Sequence, residues 1–189
     1  PEYAEAHNNL GIILIEDRQL EEAIKRFEKS IAADRNFIEA YNNLGSAYME
    51  LNNFDLSLEN FQKALLINPD YVEAHNNLGR LFMHLGQLDK AVEYFQKSIK
   101  INPNYEYAHN NLGLAYNELD NLEESAKCYQ RAIDINPSYY EPCANYGNLL
   151  ADLNQLDEAI NNYDRAYELN PEADYILGNI LHTKMRVCV

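Results

Sequence analysis

The sequence predicts an all-α solenoid built from antiparallel helix pairs, and three observations carry that expectation. First, Gly11, Gly45, Gly79, Gly113 and Gly147 recur every 34 residues. The same period links Leu10, Leu44, Leu78, Leu112 and Tyr146, and likewise Phe27, Phe61, Phe95, Tyr129 and Tyr163. Second, each copy contains two stretches whose small and apolar residues fall at helical spacing. Third, punctuating residues separate the stretches, and proline separates the copies, with Arg35 in its place after the first. One helical hairpin cannot bury its apolar face alone, so such copies must stack on a shared core.

In chain order, Pro1-Glu2-Tyr3 matches Pro69-Asp70-Tyr71 in period, so residues 1–3 are expected to be the tail of a preceding copy. Five copies follow without insertion, at 4–37, 38–71, 72–105, 106–139 and 140–173. In the first copy, Ala6, His7, Leu10, Gly11 and Leu14 share one helix face. The link to the second helix holds Arg18, Asn52, Gly86, Asp120 or Asn154, and four of those five tolerate the left-handed conformation that ends a helix. The inward face of the second helix is Leu20, Ala23, Ile24, Phe27 and Ile31. Small residues in the Gly11 column and in the Ala23, Ser57, Ala91, Ser125, Ala159 column mark the expected contact between the two helices.

Pro69, Pro103, Pro137 and Pro171 stop the second helices, and Asp70, Asn104 and Ser138 are expected to cap the helices that follow. The fifth copy reads Pro142-Cys143-Ala144-Asn145-Tyr146-Gly147, which is expected to loosen its first turn. Residues 174–189 form an amphipathic capping or connecting helix, expected to turn Leu177, Ile180, Leu181 and Met185 inward.

Composition narrows the function. Thirty acidic against fifteen basic residues give a net charge of −15, which repels phosphate backbones and anionic headgroups. Neither nucleic acid nor a membrane surface is an expected partner, and no apolar run reaches the roughly 18 residues of a bilayer span. Cys128, Cys143 and Cys188 are an odd set without CxxC spacing, and no Asn-x-Ser/Thr acceptor with x other than Pro occurs. A reducing, cytoplasmic setting is expected.

Chemistry is sparse. Of seven glycines, five form the 34-residue column and Gly86 ends a helix, so no phosphate-cradling loop remains. His7, His75 and His109 share a core-facing column with Tyr41 and Cys143 and read as packing groups. The acidic residues are spread over helix faces without metal-ligand spacing, and Cys128 and Cys143 lack triad-like company. No enzyme activity, no cofactor and no metal is expected of this chain.

The informative feature is a polar stripe on each first helix, the Glu5, Asn9, Ile12 and Glu16 columns at i, i+4, i+7 and i+11. These positions fall nearly opposite the core face. The Asn9 column is uniform, Asn9, Asn43, Asn77, Asn111 and Asn145, and beside it run Asn8, Asn42, Asn76 and Asn110, giving way to Ala144. Asn is a poor helix former, so a merely wet face would favour Glu, Lys or Gln. Its amide holds both a donor and an acceptor and can bond a peptide unit whatever the side chain. Stacked helices lie about 8–10 Å apart, close to three residues of extended chain. On this reading Asn→Ala in the column leaves stability unchanged or slightly raised.

HNNLG, YNNLG, HNNLG and HNNLG, followed by a small residue, an aromatic and Asn-Pro, resemble tetratricopeptide repeats over about nine-tenths of the chain. That resemblance implies a right-handed superhelical solenoid that binds polypeptide on its concave face. The asparagine ladder is similar to the repeat region of O-linked N-acetylglucosamine transferases, where asparagines hold the acceptor's backbone. The implied groove residues are Asn9, Asn43, Asn77, Asn111 and Asn145 with Asn8, Asn42, Asn76 and Asn110. Glu16, Glu50, Glu118 and Asp152, with Glu5, Glu39, Glu73 and Glu141, make it acidic, so basic or neutral extended peptides are the expected partners. A contrasting branch of the family grips C-terminal carboxylates with Lys and Arg, but only Arg80 is basic among the stripe columns.

The run from Leu177 to Cys188 looks like the helix that joins repeats to a catalytic part in bacterial glycosyltransferases of this kind. The leading expectation is a substrate-recognition region of a protein O-glycosyltransferase, and the alternative is a stand-alone adaptor. The Ala6, Leu10 and Ile13 side of the first helix is expected to favour end-to-end self-association.

Overall fold

A computed structural model describes residues 2–187, so the expectations that concern Pro1, Cys188 and Val189 lie outside the described residues. Among the described residues there are eleven helices and no strands. One unit holds α1 (Glu2–Glu16), α2 (Leu20–Ala33), α3 (Ile38–Glu50), α4 (Phe54–Ile67), α5 (Val72–His84) and α6 (Leu88–Ile101). The other holds α7 (Glu106–Glu118), α8 (Leu122–Ile135), α9 (Tyr140–Asp152), α10 (Leu156–Leu169) and α11 (Asp174–Val187). The expected helix pairs are therefore present, one hairpin per copy.

In the first unit α1 pairs with α2, α3 with α4 and α5 with α6, while α3 also packs on both helices of the hairpin before it. Each pairing is built on a ring against a glycine. A Cβ at Gly11, Gly45 or Gly79 would stand 2.4, 2.7 or 2.4 Å from the nearest ring atom of Phe27, Phe61 or Phe95, all three rings being buried. The glycine column thus meets the aromatic column of the second helix. The Ala23, Ser57 and Ala91 column is also fully buried. Ser30 and Ser98 fix the far end of their hairpins, donating from Oγ to the carbonyls of Ala4 (2.7 Å) and Val72 (3.1 Å).

The second unit repeats the plan with tyrosine in the aromatic column. Tyr129 lies on Gly113 and Tyr163 on Gly147, where a Cβ would stand 2.6 and 2.7 Å from the ring. Pro142 does not loosen α9, which has the same thirteen residues as α3, α5 and α7. It occupies the third helical position, where the backbone N–H has no intrahelical partner to lose.

One further expectation is extended and two are corrected. The link residues all adopt positive φ, including Arg18 at 59° beside Asn52, Asp120, Asn154 and Gly86. The hairpin geometry imposes the left-handed residue whatever the side chain there. Asp70, Asn104 and Ser138 do not cap helices: the N-cap positions are Phe37, Tyr71, Tyr105 and Tyr139, without side-chain cap bonds. Instead the side chains of Asp34, Asn68, Asn102 and Asn136 accept from the backbone N–H two residues on, bracing the turn around proline where one is present.

In α11 the inward residues are Ile176, Ile180 and Thr183, while Leu177, Leu181 and Met185 are exposed. The helix keeps the 34-residue register, so these three inward residues fall where Pro142, Tyr146 and Leu149 fall in α9. The exposed three fall where Cys143, Gly147 and Ala151 sit, toward the place a paired second helix takes.

Candidate functional site

The stripe is built by the register between successive first helices. In the first unit Asn43 donates from Nδ2 to Asn8 Oδ1 at 2.9 Å, and Asn77 donates to Asn42 Oδ1 at 2.9 Å. Asn77 also donates to Ser46 Oγ at 3.4 Å and accepts from Arg80 Nη1 at 3.4 Å. Asn8, Asn42 and Asn76 are buried, Asn77 is buried, Asn43 is half-buried and Asn9 is exposed. In the second unit Asn145 donates to Asn110 Oδ1 at 2.9 Å, and Asn110 is buried. Asn111 is half-buried and engaged within the fold. The stripe is therefore more deeply seated than a face opposite the core would be. One asparagine of each pair is an acceptor set below the surface, and the next copy's asparagine is fixed by it.

The capacity left differs from rung to rung. Asn43 and Asn145 each use one N–H, keeping a second N–H and the carbonyl oxygen. Asn77 has both N–H groups and its oxygen engaged. Because these bonds join repeats, Asn→Ala removes a cross-repeat bond and leaves a buried acceptor such as Asn8 Oδ1 unmet. The expectation of unchanged or raised stability is thereby replaced by a loss of about 1 kcal/mol per site. Glu16, Glu50, Glu118 and Asp152 are all exposed, seven residues beyond the asparagine column on their helices.

Sequence reasoning missed three residues of this face. Asn179 continues the column from Asn145 by the same 34 residues. Since Ala144 has no side-chain acceptor, Asn179 donates instead to Asn148 Oδ1 at 3.0 Å. Tyr107 and Tyr175 stand in the Glu5 column, and both are exposed. Tyr107 meets Tyr105 and Tyr139 edge-on, with centroids 5.4 and 5.1 Å away. The 34-residue period was the available signal for all three.

Two histidines serve the fold. His75 and His109 donate from Nε2 to the carbonyls of Pro69 (2.8 Å) and Pro103 (3.0 Å), tying a first helix to the turn before it. Burial holds the His109 pKa below the usual imidazole value against the opposing pull of the Pro103 bond, and Arg131 lowers it further. Burial pushes the Cys128 thiol up to about 12 and raises Cys143 as well, the reverse of what a nucleophile needs. Among the described residues no group of three or more His, Cys, Asp and Glu is placed to hold a metal. No helix among them is long and apolar enough to cross a membrane.

Comparison with curated proteins gives no match. Solved structures match in fold. The thermophilic TPR protein TTC0263 of Thermus thermophilus superposes with a TM-score of 0.85 at 20% identity, over 96% of this chain and 99% of that one. YrrB, a TPR protein with an unusual peptide-binding site, gives 0.64 at 22% identity, over 95% and 90%. The Cut9–Hcn1 hetero-tetramer of the APC/C gives 0.90 at 20% identity, over all of this chain and 38% of that one. Residues 38–71, 72–105 and 106–139 match one family profile, Tetratricopeptide repeat, 140–173 match a second of that description, and 13–52 match one described as TPR repeat. With the first profile alone spanning more than half of its residues, the chain belongs to the tetratricopeptide repeat family.

Proposed function

We propose that this repeat scaffold binds polypeptide in extended form along the asparagine-bearing faces of the first helices within each of its two units. One observation carries the reading: Asn43 and Asn145 are each locked to the preceding repeat by one N–H, leaving a donor and an acceptor on an amide of fixed orientation. Such an amide matches the C=O and N–H of a peptide unit without regard to side chain. Asn9 and Asn111 belong to the same column; Asn8, Asn42, Asn76 and Asn110 hold it from beneath, and Asn77 serves chiefly as a strut. Glu16, Glu50, Glu118 and Asp152 bias the face toward basic or neutral segments. The test is calorimetric titration with an acetylated 15-residue Lys/Ser/Gly peptide and its Glu/Ser/Gly counterpart. The Lys peptide should bind more tightly. Asn43→Ala with Asn145→Ala, checked as folded by thermal melting, should weaken it about fivefold or more, one net hydrogen bond being about 1 kcal/mol. Undiminished binding by the double variant sinks the reading.

The finer proposal, recognition of acceptor protein for an O-linked N-acetylglucosamine transferase-type enzyme, rests on the resemblance of the asparagine ladder and of the run from Leu177. The alternative is an adaptor that assembles other proteins and has no link to an enzyme. Coding sequence beyond Val189 that specifies a nucleotide-sugar-binding domain supports the first, and an immediate stop codon there supports the second. On either reading the repeats alone bind no nucleotide sugar.

A further inference from the structure

In the second unit α9, α10 and α11 line an open pocket of about 290 Å³ that includes Asn148, Asp152, Tyr163, Asn179, His182 and Arg186, with Asn148, Asp152, His182 and Arg186 exposed. Its polar groups are ordered from within. Tyr163 lies on Gly147, in the column that holds Phe27, Phe61 and Phe95 in the first three copies, so its hydroxyl is not needed for that packing. That hydroxyl donates to Asn148 Oδ1 at 2.8 Å. The buried Thr183 lines the same pocket, and from α11 Asn179 supplies Asn148 Oδ1 with a second donor at 3.0 Å. Both lone pairs of that oxygen are thus taken. These two donors orient the amide, and the two hydrogens on Asn148 Nδ2 are left without a protein acceptor.

One turn along α9 stands Asp152, an acceptor, and from α11 comes Arg186, held at one end by Nη2 donating to Asn154 Oδ1 at 3.3 Å. No earlier copy repeats this set, since Ile12, Ser46, Arg80 and Leu114 occupy the Asn148 column.

We propose that this cavity takes the neutral side-chain carboxamide of a glutamine or asparagine in a bound polypeptide. The carboxamide oxygen accepts from Asn148 Nδ2 and Arg186, and its NH₂ group donates to Asp152. The other side-chain classes fit less well. An apolar group leaves the Asn148 N–H bonds unmet, a carboxylate gains Arg186 but is repelled by Asp152, and an ammonium gains Asp152 but is repelled by Arg186, whereas a carboxamide satisfies both. The inference rests on the extended-peptide reading for its source of ligand, but the cavity can be probed without a peptide.

The probes are N-acetyl-glutamine methylamide and its glutamate and norleucine counterparts, titrated into the full chain and followed by the side-chain amide NMR signals of Asn148 and Asn179. The glutamine probe should shift both signals and the other two should not. Two variants take residues already present in sister copies, which favours folding: Tyr163→Phe, which frees the amide, and Asn148→Leu. The first should weaken the glutamine probe about fivefold, and the second should abolish its effect. Equal shifts from norleucine, or an unaltered response in Tyr163→Phe, overturn the proposal. A glutamine response with no binding of the Lys/Ser/Gly peptide keeps the cavity and removes the extended-peptide reading. Peptide binding together with an unresponsive cavity does the reverse.

Discussion

Gly79 shows how a single atom sets the hairpin. A Cβ there would enter the buried Phe95 ring at 2.4 Å, closer than carbon atoms approach without displacement. Alanine is the better helix former by about 1 kcal/mol, but overpacking a buried ring costs about 1–3 kcal/mol. Gly79→Ala should therefore lower stability in a denaturant melt. Gly178 is also helical, yet a Cβ there meets nothing within 4 Å, so Gly178→Ala should raise stability by up to about 1 kcal/mol. Equal signs for the two variants would refute the ring-on-glycine account. The glycine column was legible from its period, but its partner was not. Periodicity gives the face a residue occupies and leaves open which way an aromatic side chain lies across the hairpin.

At the scale of the element, the helix pairs were legible because each is marked twice, by apolar spacing and by a breaker at its end. The caps were not. Asp70, Asn104 and Ser138 are good capping residues by type, yet the turn is already braced by Asn68, Asn102 and Asn136, and the helices begin two residues later at Val72, Glu106 and Tyr140. The asparagine stripe was legible as a column but not as cross-repeat pairs, since a bond from Asn43 to Asn8 depends on the stacking of α3 on α1.

The histidine column adds a pH term to the start of α7. His109 is held below the usual imidazole value of 6.5 chiefly by burial, so between that value and its folded value the unfolded chain binds more protons. Stability is then fully present above the ordinary value and is lost as pH falls through the window below it. His109→Tyr installs the residue found at Tyr41 and removes this term. The drop in Tm from about pH 7 to about pH 5.5 should be smaller in the variant than in the parent. Parallel curves would show that His109 contributes nothing to acid sensitivity.

For the whole molecule, net charge and exposed apolar faces act in opposite directions. A charge of −15 holds copies of the chain apart. Yet Ile13 on α1 is 53% exposed, whereas Ala47 and Leu81 at the equivalent positions are fully buried. Leu181 and Met185 on α11 are 57% and 70% exposed. A face of the first kind receives a helical hairpin in each later copy of its own unit, so head-to-tail contact between α11 of one molecule and α1 of another has a place to form. The Debye length shortens from about 10 Å at 0.1 M salt to about 3 Å at 1 M, so repulsion between copies fades while apolar burial does not. Sedimentation velocity should therefore show an average mass that rises with concentration, and rises more steeply at high salt. Ile13→Lys or Leu181→Lys should each flatten that rise. Binding of the Lys/Ser/Gly peptide should move the opposite way and weaken as salt is added, because there the charges attract. A chain that stays monomeric at every salt concentration removes the end-face contact and leaves the peptide face untouched.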